Sequence, residues 1–171
     1  LDGINQHGLS LTCSGQWSPR VRVDMTRADS AWLLLNLAPV LRRARSADEA
    51  VRMITDQPRA SGMIVLAADE SRAAALEVTD REVRAFEPEK DLLVRTNHFC
   101  SPDFQHLMPT FEEYRSTYDR HARASQILRE RYGRIGMHDI LRILGDHAEP
   151  PVESICRHGG AHAICEPVLN A

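Results

Sequence analysis

The chain has 171 residues, the size of one ordinary domain, and its 43% hydrophobic and 26% charged residues are typical of a soluble globular protein with a core. Its net charge of -3, with no basic stripe along the sequence, argues against nucleic acid as a partner. No stretch is long and apolar enough to cross a membrane, and four cysteines are too few for a disulfide scaffold. We therefore expect a cytoplasmic protein with reduced thiols.

The first part of the chain predicts one strand followed by two helices. Residues 8–13 alternate apolar and polar side chains, as a half-buried strand does. A buried helix is expected over 29–41, with Pro39 bending or ending it. A second helix follows, because Ser46 and Glu49 form a capping-box pattern ahead of an apolar face at helical spacing. That face comprises Ala47, Ala50, Val51 and Ile54.

Four strand-like runs then follow one another, separated by short polar connections. They cover residues 62–68, 73–79, 82–87 and 91–97. Connections of this length join neighbouring antiparallel strands, whereas parallel strands need a long crossover. The four runs therefore predict an antiparallel meander.

The last part of the chain predicts a loop, two helices and a final strand. The loop covers 100–112, and a polar, arginine-rich helix covers about 116–132. A further helix carries Met137, Ile140, Leu141 and Leu144 on one side. Residues 161–165 are expected to form the last strand. Because the helices are segregated from an antiparallel sheet, the sequence predicts an α+β layered domain.

Three interpretations compete for the polar residues at the end of the predicted strand 91–97. His98 and Cys100 would share one face of a strand, and such a pair can form a thiolate nucleophile. No third group in this stretch would orient the imidazole, which favours a small buried thiol at Cys100 instead. Asn97 offers a fixed amide N–H donor of the kind that stabilises an oxyanion, although asparagine is also common in turns. Asn5 is a second amide that leads into a strand.

A metal site is the third interpretation, and the sequence places its candidate ligands in the C-terminal region. Zinc-type ligands lie there within ten residues, namely Cys156, His158, His162 and Cys165. Their spacing differs from that of standard fingers, which use two short ligand pairs separated by a longer segment. If these four residues nevertheless act together, the chain is a small, non-catalytic zinc-binding or interaction module, which is the alternative function.

Three separated motifs resemble a single enzyme family. DGINQHGLSLT at 2–12 looks like the Gly-φ-Asn-x-x-Gly-φ strand entry of N-terminal-nucleophile (Ntn) amidohydrolases. VRTNHF at 94–99 resembles the Thr-Asn-His motif of the acyl-coenzyme A:6-aminopenicillanate acyltransferase family, the peptidase C45 group. ILGDHAEPPVESICRH at 143–158 resembles the Leu-x-Asp-His and Ser-Ile-Cys-Arg segment of that family. The order of the motifs agrees over nearly the whole chain.

The resemblance implies an αββα sandwich of two antiparallel sheets, present as a single, partial domain over 1–171 that is incomplete at both ends. It implies amide hydrolysis or acyl transfer by an N-terminal cysteine released by autoprocessing, with its own α-amine as the base. By the same resemblance, Asn97 helps to form the oxyanion hole and Asn5 makes a second polar contact. The expected substrate is a small-molecule acyl amide or acyl-coenzyme A, with no cofactor, nucleic acid or membrane.

The resemblance also places the nucleophilic cysteine upstream of the Gly-φ-Asn motif. None of the four cysteines present, Cys13, Cys100, Cys156 and Cys165, occupies that position. We therefore expect these 171 residues alone to be inactive. Their expected partners are the remaining segments of the same precursor or a second copy of the chain.

Overall fold

The computed structural model describes residues 2–16, 18–24, 26, 33–147 and 154–156. The chain divides into two units, residues 1–108 and 109–171. The predicted strand at 161–165 and the start of the first predicted helix, residues 29–32, lie outside the described residues.

A five-stranded antiparallel sheet forms the centre of the first unit. Each strand pairs with the next one in the sequence, so the order across the sheet is β1-β2-β3-β4-β5. The strands span Gly3–Ile4, Ser10–Ser14, Met63–Ala68, Ala73–Val78 and Val83–Phe86. The predicted meander is thus confirmed for its first three strands, β3, β4 and β5.

Two helices pack on one face of this sheet. Helix α1 spans Leu33–Arg43 and continues beyond Pro39, and helix α2 spans Ala47–Asp56. Their buried side chains meet alternate positions of the strands, because successive strand residues point to opposite faces. The resulting core comprises Leu9, Leu11, Leu37, Val40, Ala44, Ala47, Ala50, Ile54, Met63, Val65, Ala67, Leu76 and Val78. The apolar face predicted for α2 is confirmed.

The start of α2 is capped by the side chains of Ser46 and Glu49. Ser46 Oγ accepts a hydrogen bond from the backbone N–H of Glu49 at 3.2 Å, as the capping pattern predicts. The Glu49 carboxylate accepts from the N–H of Arg45 at 2.6 Å, one residue further back than in a regular capping box.

Asp69, in the turn between β3 and β4, also holds the start of α2. Its carboxylate accepts from the N–H of Ala47 at 2.7 Å, and from the N–H groups of Ser71 and Arg72 at 2.8 and 2.9 Å. The bond from Ala47 above all, then the bond from the Ser71 hydroxyl at 2.7 Å and the backbone bonds from Ser71 and Arg72, lower the pKa of Asp69 to about 2. The turn and the helix are therefore joined by one ionised carboxylate.

Asp69→Asn is expected to lower the free energy of unfolding by about 1–2 kcal/mol near neutral pH, since the negative charge and one of the two acceptor oxygens are lost. The pKa of Asp69 lies below its usual value of 3.8, so its contribution is present above about pH 4 and disappears as the pH falls toward 2. Urea unfolding at several pH values should show the two proteins converging in acid. The exposed neighbour Glu70 provides the control, Glu70→Gln. A difference that is the same at all pH values would contradict the prediction.

A smaller apolar cluster lies on the sheet face opposite the two helices. It comprises Val21, Ile64, Phe99, Phe104 and Met108. The ring centroids of Phe99 and Phe104 are 5.2 Å apart. Phe104 belongs to a short 3-10 helix, Pro102–Leu107, within the region predicted as a loop. The cluster holds the chain that follows β5 against this face of the sheet.

The prediction of a strand at 91–97 is wrong. This fully described stretch is irregular and carries one isolated bridge, between Glu89 and Leu92. Lys90 and Asp91 have φ angles of 49° and 60°, and such left-handed residues turn the chain out of the extended course of a strand. The apolar run therefore packs as irregular chain instead of pairing with β5.

The second unit contains helices α3 and α4, Phe111–Glu130 and Met137–Leu144. Helix α3 begins before the predicted residue 116, because Thr110 and Glu113 form a capping box. Helix α4 buries Ile143, whereas the apolar side predicted from its spacing is exposed. The exposed residues are Met137, Ile140, Leu141 and Leu144.

The described residues confirm the α+β class, with one antiparallel sheet and several helices. The second sheet of the expected sandwich stays a prediction. Among the helices that the structure describes, none combines the length and the hydropathy required to span a bilayer.

Candidate functional site

Residues 94–101, which we call the Asn97 segment, lie on the sheet face opposite α1 and α2. Phe99 is fully buried there beside Ile64 of β3. Ile64 pairs with Glu77 of β4, so both side chains point to the same face as the segment. The Asn97 segment therefore packs directly on this face of the sheet.

Glu77 of β4 binds the Asn97 segment to the sheet. Its side chain is completely buried. One carboxylate oxygen, Oε1, accepts from Nε of Arg95 at 3.1 Å and from the N–H of Cys100 at 2.7 Å. The other, Oε2, accepts from the N–H of Ser101 at 2.8 Å. The guanidinium of Arg95 also lies over the Phe86 ring, with Cζ 4.9 Å from the ring centroid. The buried charge is thus compensated by a cation and by backbone donors.

The Asn97 side chain is half-buried and has a defined orientation. Its Nδ2 donates to the carbonyl oxygen of Gly15 at 2.7 Å. Gly15 directly follows β2, so this bond joins the segment to the end of that strand. The amide group is therefore fixed between two separate parts of the chain.

His98 and Cys100 lie in contact, although they do so on irregular chain and not on one face of a strand. His98 is buried, with Nδ1 3.2 Å from Thr96 Oγ1 and Nε2 3.8 Å from Cys100 Sγ. Burial raises the pKa of the Cys100 thiol, and the nearby Arg95 only partly opposes this effect. Because the thiolate is the reactive form, the environment favours a packed, neutral thiol at Cys100 over a nucleophile.

Asn5 binds the end of α1. Its Nδ2 donates to the carbonyl oxygens of Leu41 and Ala44 at 2.9 and 2.7 Å. Its Oδ1 accepts from the N–H groups of His7 and Leu9 at 2.9 and 3.2 Å. Both amide hydrogens thus serve helix carbonyls, which gives Asn5 a structural role that the sequence did not reveal. The second polar contact implied by the resemblance stays a prediction.

The glycines around Asn5 have physical reasons of their own. A Cβ on Gly3 would lie 2.7 Å from Cδ2 of Leu41, so glycine permits the close approach of β1 to α1. Gly8 has a φ angle of 79°, a left-handed conformation that favours glycine. The first motif is therefore a hairpin built to lie against the end of α1.

The third motif is held together inside the second unit. Arg123 of α3 donates to both carboxylate oxygens of Asp146, at 3.1 and 2.8 Å. The N–H of Cys156 donates to the carbonyl of Asp146 at 3.1 Å, and Ser154 Oγ donates to the carbonyl of Cys156 at 2.7 Å. Arg123 thus ties Asp146 to α3, and the backbone bond between Cys156 and Asp146 joins the two halves of the motif.

The zinc interpretation finds one of its ligands in the described chain. Cys156 is buried, whereas His158, His162 and Cys165 lie outside the described residues. Within the described ranges, no three His, Cys, Asp or Glu residues form a group suited to a metal ion.

The chain is an α+β protein. In its first unit, one antiparallel sheet separates the layer formed by α1 and α2 from the Asn97 segment. The sequence model of the acyl-coenzyme A:6-aminopenicillanic acid acyl-transferase family matches residues 1–163. The chain therefore belongs to this family, and the resemblance inferred from the three motifs is confirmed. No curated protein sequence matches the chain.

Glu77 is the residue of this site that the sequence reasoning missed. A signal was present, because Glu77 is the one charged residue within the apolar run AAALEVT of 73–79. Carboxylates are rarely buried without a partner, so a lone glutamate inside a buried strand predicts a charged or hydrogen-bonding partner. The sequence alone does not identify that partner as the Asn97 segment.

Proposed function

We propose that this chain supplies the oxyanion-stabilising segment of a cysteine-dependent Ntn amidohydrolase or acyltransferase. The observation that carries the proposal is the Asn97 amide, held in a fixed orientation by Gly15 on a segment braced by Glu77. A preorganised N–H donor at a developing oxyanion lowers the barrier by about 3–4 kcal/mol. Membership in an acyltransferase family supports this chemistry.

The proposed nucleophile is an N-terminal cysteine exposed by autoprocessing, distinct from the four in this sequence. Its thiol transfers a proton to its own α-amine as sulfur attacks the acyl carbonyl carbon. A C–S bond forms, and the negative charge collects on the carbonyl oxygen, to which Asn97 donates. When this intermediate collapses, the amine or the thiol of coenzyme A leaves with the proton from the α-ammonium group. Water or an acceptor amine then attacks the acyl-cysteine and restores the thiol.

The substrate in this proposal is a small-molecule acyl amide or acyl-coenzyme A. The reaction needs neither a cofactor nor a metal, because nucleophile, base and oxyanion donor all come from protein groups. The αββα sandwich, a single Ntn-type domain over 1–171 and a cytoplasmic location belong to the same proposal.

Turnover by the complete gene product tests the proposal. We expect it to release amine from acyl amides, or free thiol from acyl-coenzyme A, at a rate unaffected by Cys100→Ala. The 171 residues alone are expected to show no turnover, because none of their cysteines is the proposed nucleophile. Turnover by the isolated chain that one internal cysteine substitution abolishes would contradict the proposal.

The zinc-binding module gains no support from the family match. We expect the purified chain to contain no stoichiometric zinc. One zinc ion per chain, lost on Cys156→Ser, would restore that alternative.

A further inference from the structure

The three donors to the Glu77 carboxylate come from both sides of Asn97. Arg95 precedes Asn97 by two residues, whereas Cys100 and Ser101 follow it by three and four. The buried carboxylate therefore holds the chain on either side of the amide side chain.

Glu77 lies on β4, a strand that is paired on both of its sides. Glu77 lies opposite Ile64 on β3 and opposite Arg84 on β5, so its backbone is fixed by both neighbouring strands. Its side chain is completely buried, and its two oxygens are directed at the segment by three hydrogen bonds. Movement of the Asn97 segment relative to the sheet would break charge-assisted bonds in a region of low dielectric constant.

Stability alone gives a weak reason for this arrangement. A buried ion pair can often be replaced by apolar side chains of similar volume with no loss of stability. The other residues of β4 are apolar, and an apolar residue at 77 would continue their pattern. What such a residue would lack is the set of acceptors that fixes the backbone around Asn97.

We infer that Glu77 is a positioning residue, which sets the orientation of the Asn97 amide by binding the backbone and Arg95 on its two sides. The inference rests on the proposed function of Asn97. A displacement of about 1 Å at a reacting group lowers the rate by up to about 10²-fold, so a small loosening of the segment has a large kinetic effect.

The test compares Glu77→Gln with a matched variant, Asp69→Asn, in the complete gene product. Asp69 also accepts three backbone N–H groups, but they belong to the start of α2 and to the β3–β4 turn. We expect Glu77→Gln to lower kcat by about 10–10²-fold with little change in KM, and to accelerate hydrogen exchange at the amides of Cys100 and Ser101. Asp69→Asn should reduce stability and leave kcat per folded molecule unchanged.

A double variant separates positioning from a general loss of structure. If Glu77 acts through Asn97, Glu77→Gln should lower kcat no further once Asn97 has been replaced by alanine, because the two changes remove the same interaction. Multiplicative losses in the double variant would overturn the inference. Should Glu77→Gln fail to fold, Glu77→Asp serves instead, since it keeps the charge and shortens the side chain by one methylene group.

Failure of the inference and failure of the proposed function give different results. Full kcat in Glu77→Gln, together with a large loss in Asn97→Ala, would overturn the positioning role and leave the proposed function standing. Full kcat in both variants would overturn the proposed function and the inference with it.

Discussion

Asn97→Ala is expected to lower kcat of the complete gene product by about 10²–10³-fold, while KM changes little. The donor acts mainly on the oxyanion of the transition state, so ground-state binding is largely preserved. Folding should survive, because the Asn97 side chain is half-buried and the apolar anchor of the segment is Phe99. Steady-state kinetics together with a circular dichroism spectrum check both parts of this prediction.

Two further variants sharpen the comparison. Asn97→Asp should be at least as damaging as Asn97→Ala, because it places a carboxylate where negative charge must form. His98→Gln should mainly affect stability, since the imidazole is buried against Thr96 and Cys100. A larger loss of kcat in His98→Gln than in Asn97→Ala would favour the Cys/His nucleophile instead.

Asn5→Ala is expected to destabilise the first unit by about 2–3 kcal/mol. The substitution leaves the carbonyls of Leu41 and Ala44 and the N–H groups of His7 and Leu9 without their side-chain partner. Urea unfolding measures the loss.

The exposed neighbour supplies the control for this variant, as Gln6→Ala should change the free energy of unfolding by less than about 0.5 kcal/mol. If Asn5→Ala keeps its stability and loses kcat, Asn5 contacts the substrate as the resemblance implied, and the contacts with α1 are secondary.

Elements with strong local signals were predictable from the sequence. Strands β3, β4 and β5 are bounded by short polar turns, and α2 has both a cap at Ser46 and an apolar face at helical spacing. In each of these elements, local propensity, pattern and tertiary packing agree.

The conformation of residues 91–97 was not predictable in the same way. The apolar run is typical of a strand, but the neighbouring amides of Cys100 and Ser101 bind a carboxylate more than twenty residues away. Within the stretch, the left-handed Asp91 and the bond of Arg95 to Glu77 also depart from the course of a strand, and a pattern within residues 91–97 contains no record of that distant carboxylate. Asn97 lies on irregular chain and not at the end of a strand, and its role at the oxyanion stays a prediction.

The role of Asn5 shows the same limit. The motif around it was recognised, and its spacing is explained by the close approach of Gly3 and the left-handed conformation of Gly8. The acceptors for its amide are the carbonyls of Leu41 and Ala44 at the end of a helix. Only the packing of the hairpin on α1 brings these groups together.

The most direct test of the proposed chemistry is the rate and the position of acylation in the complete gene product, followed by rapid quenching and peptide mass spectrometry. We predict that the acyl group of the substrate appears on an N-terminal cysteine and that Asn97→Ala slows its appearance by about 10²–10³-fold. Acylation of Cys100, or acylation at an unchanged rate in Asn97→Ala, would contradict the assignment of Asn97 to the oxyanion.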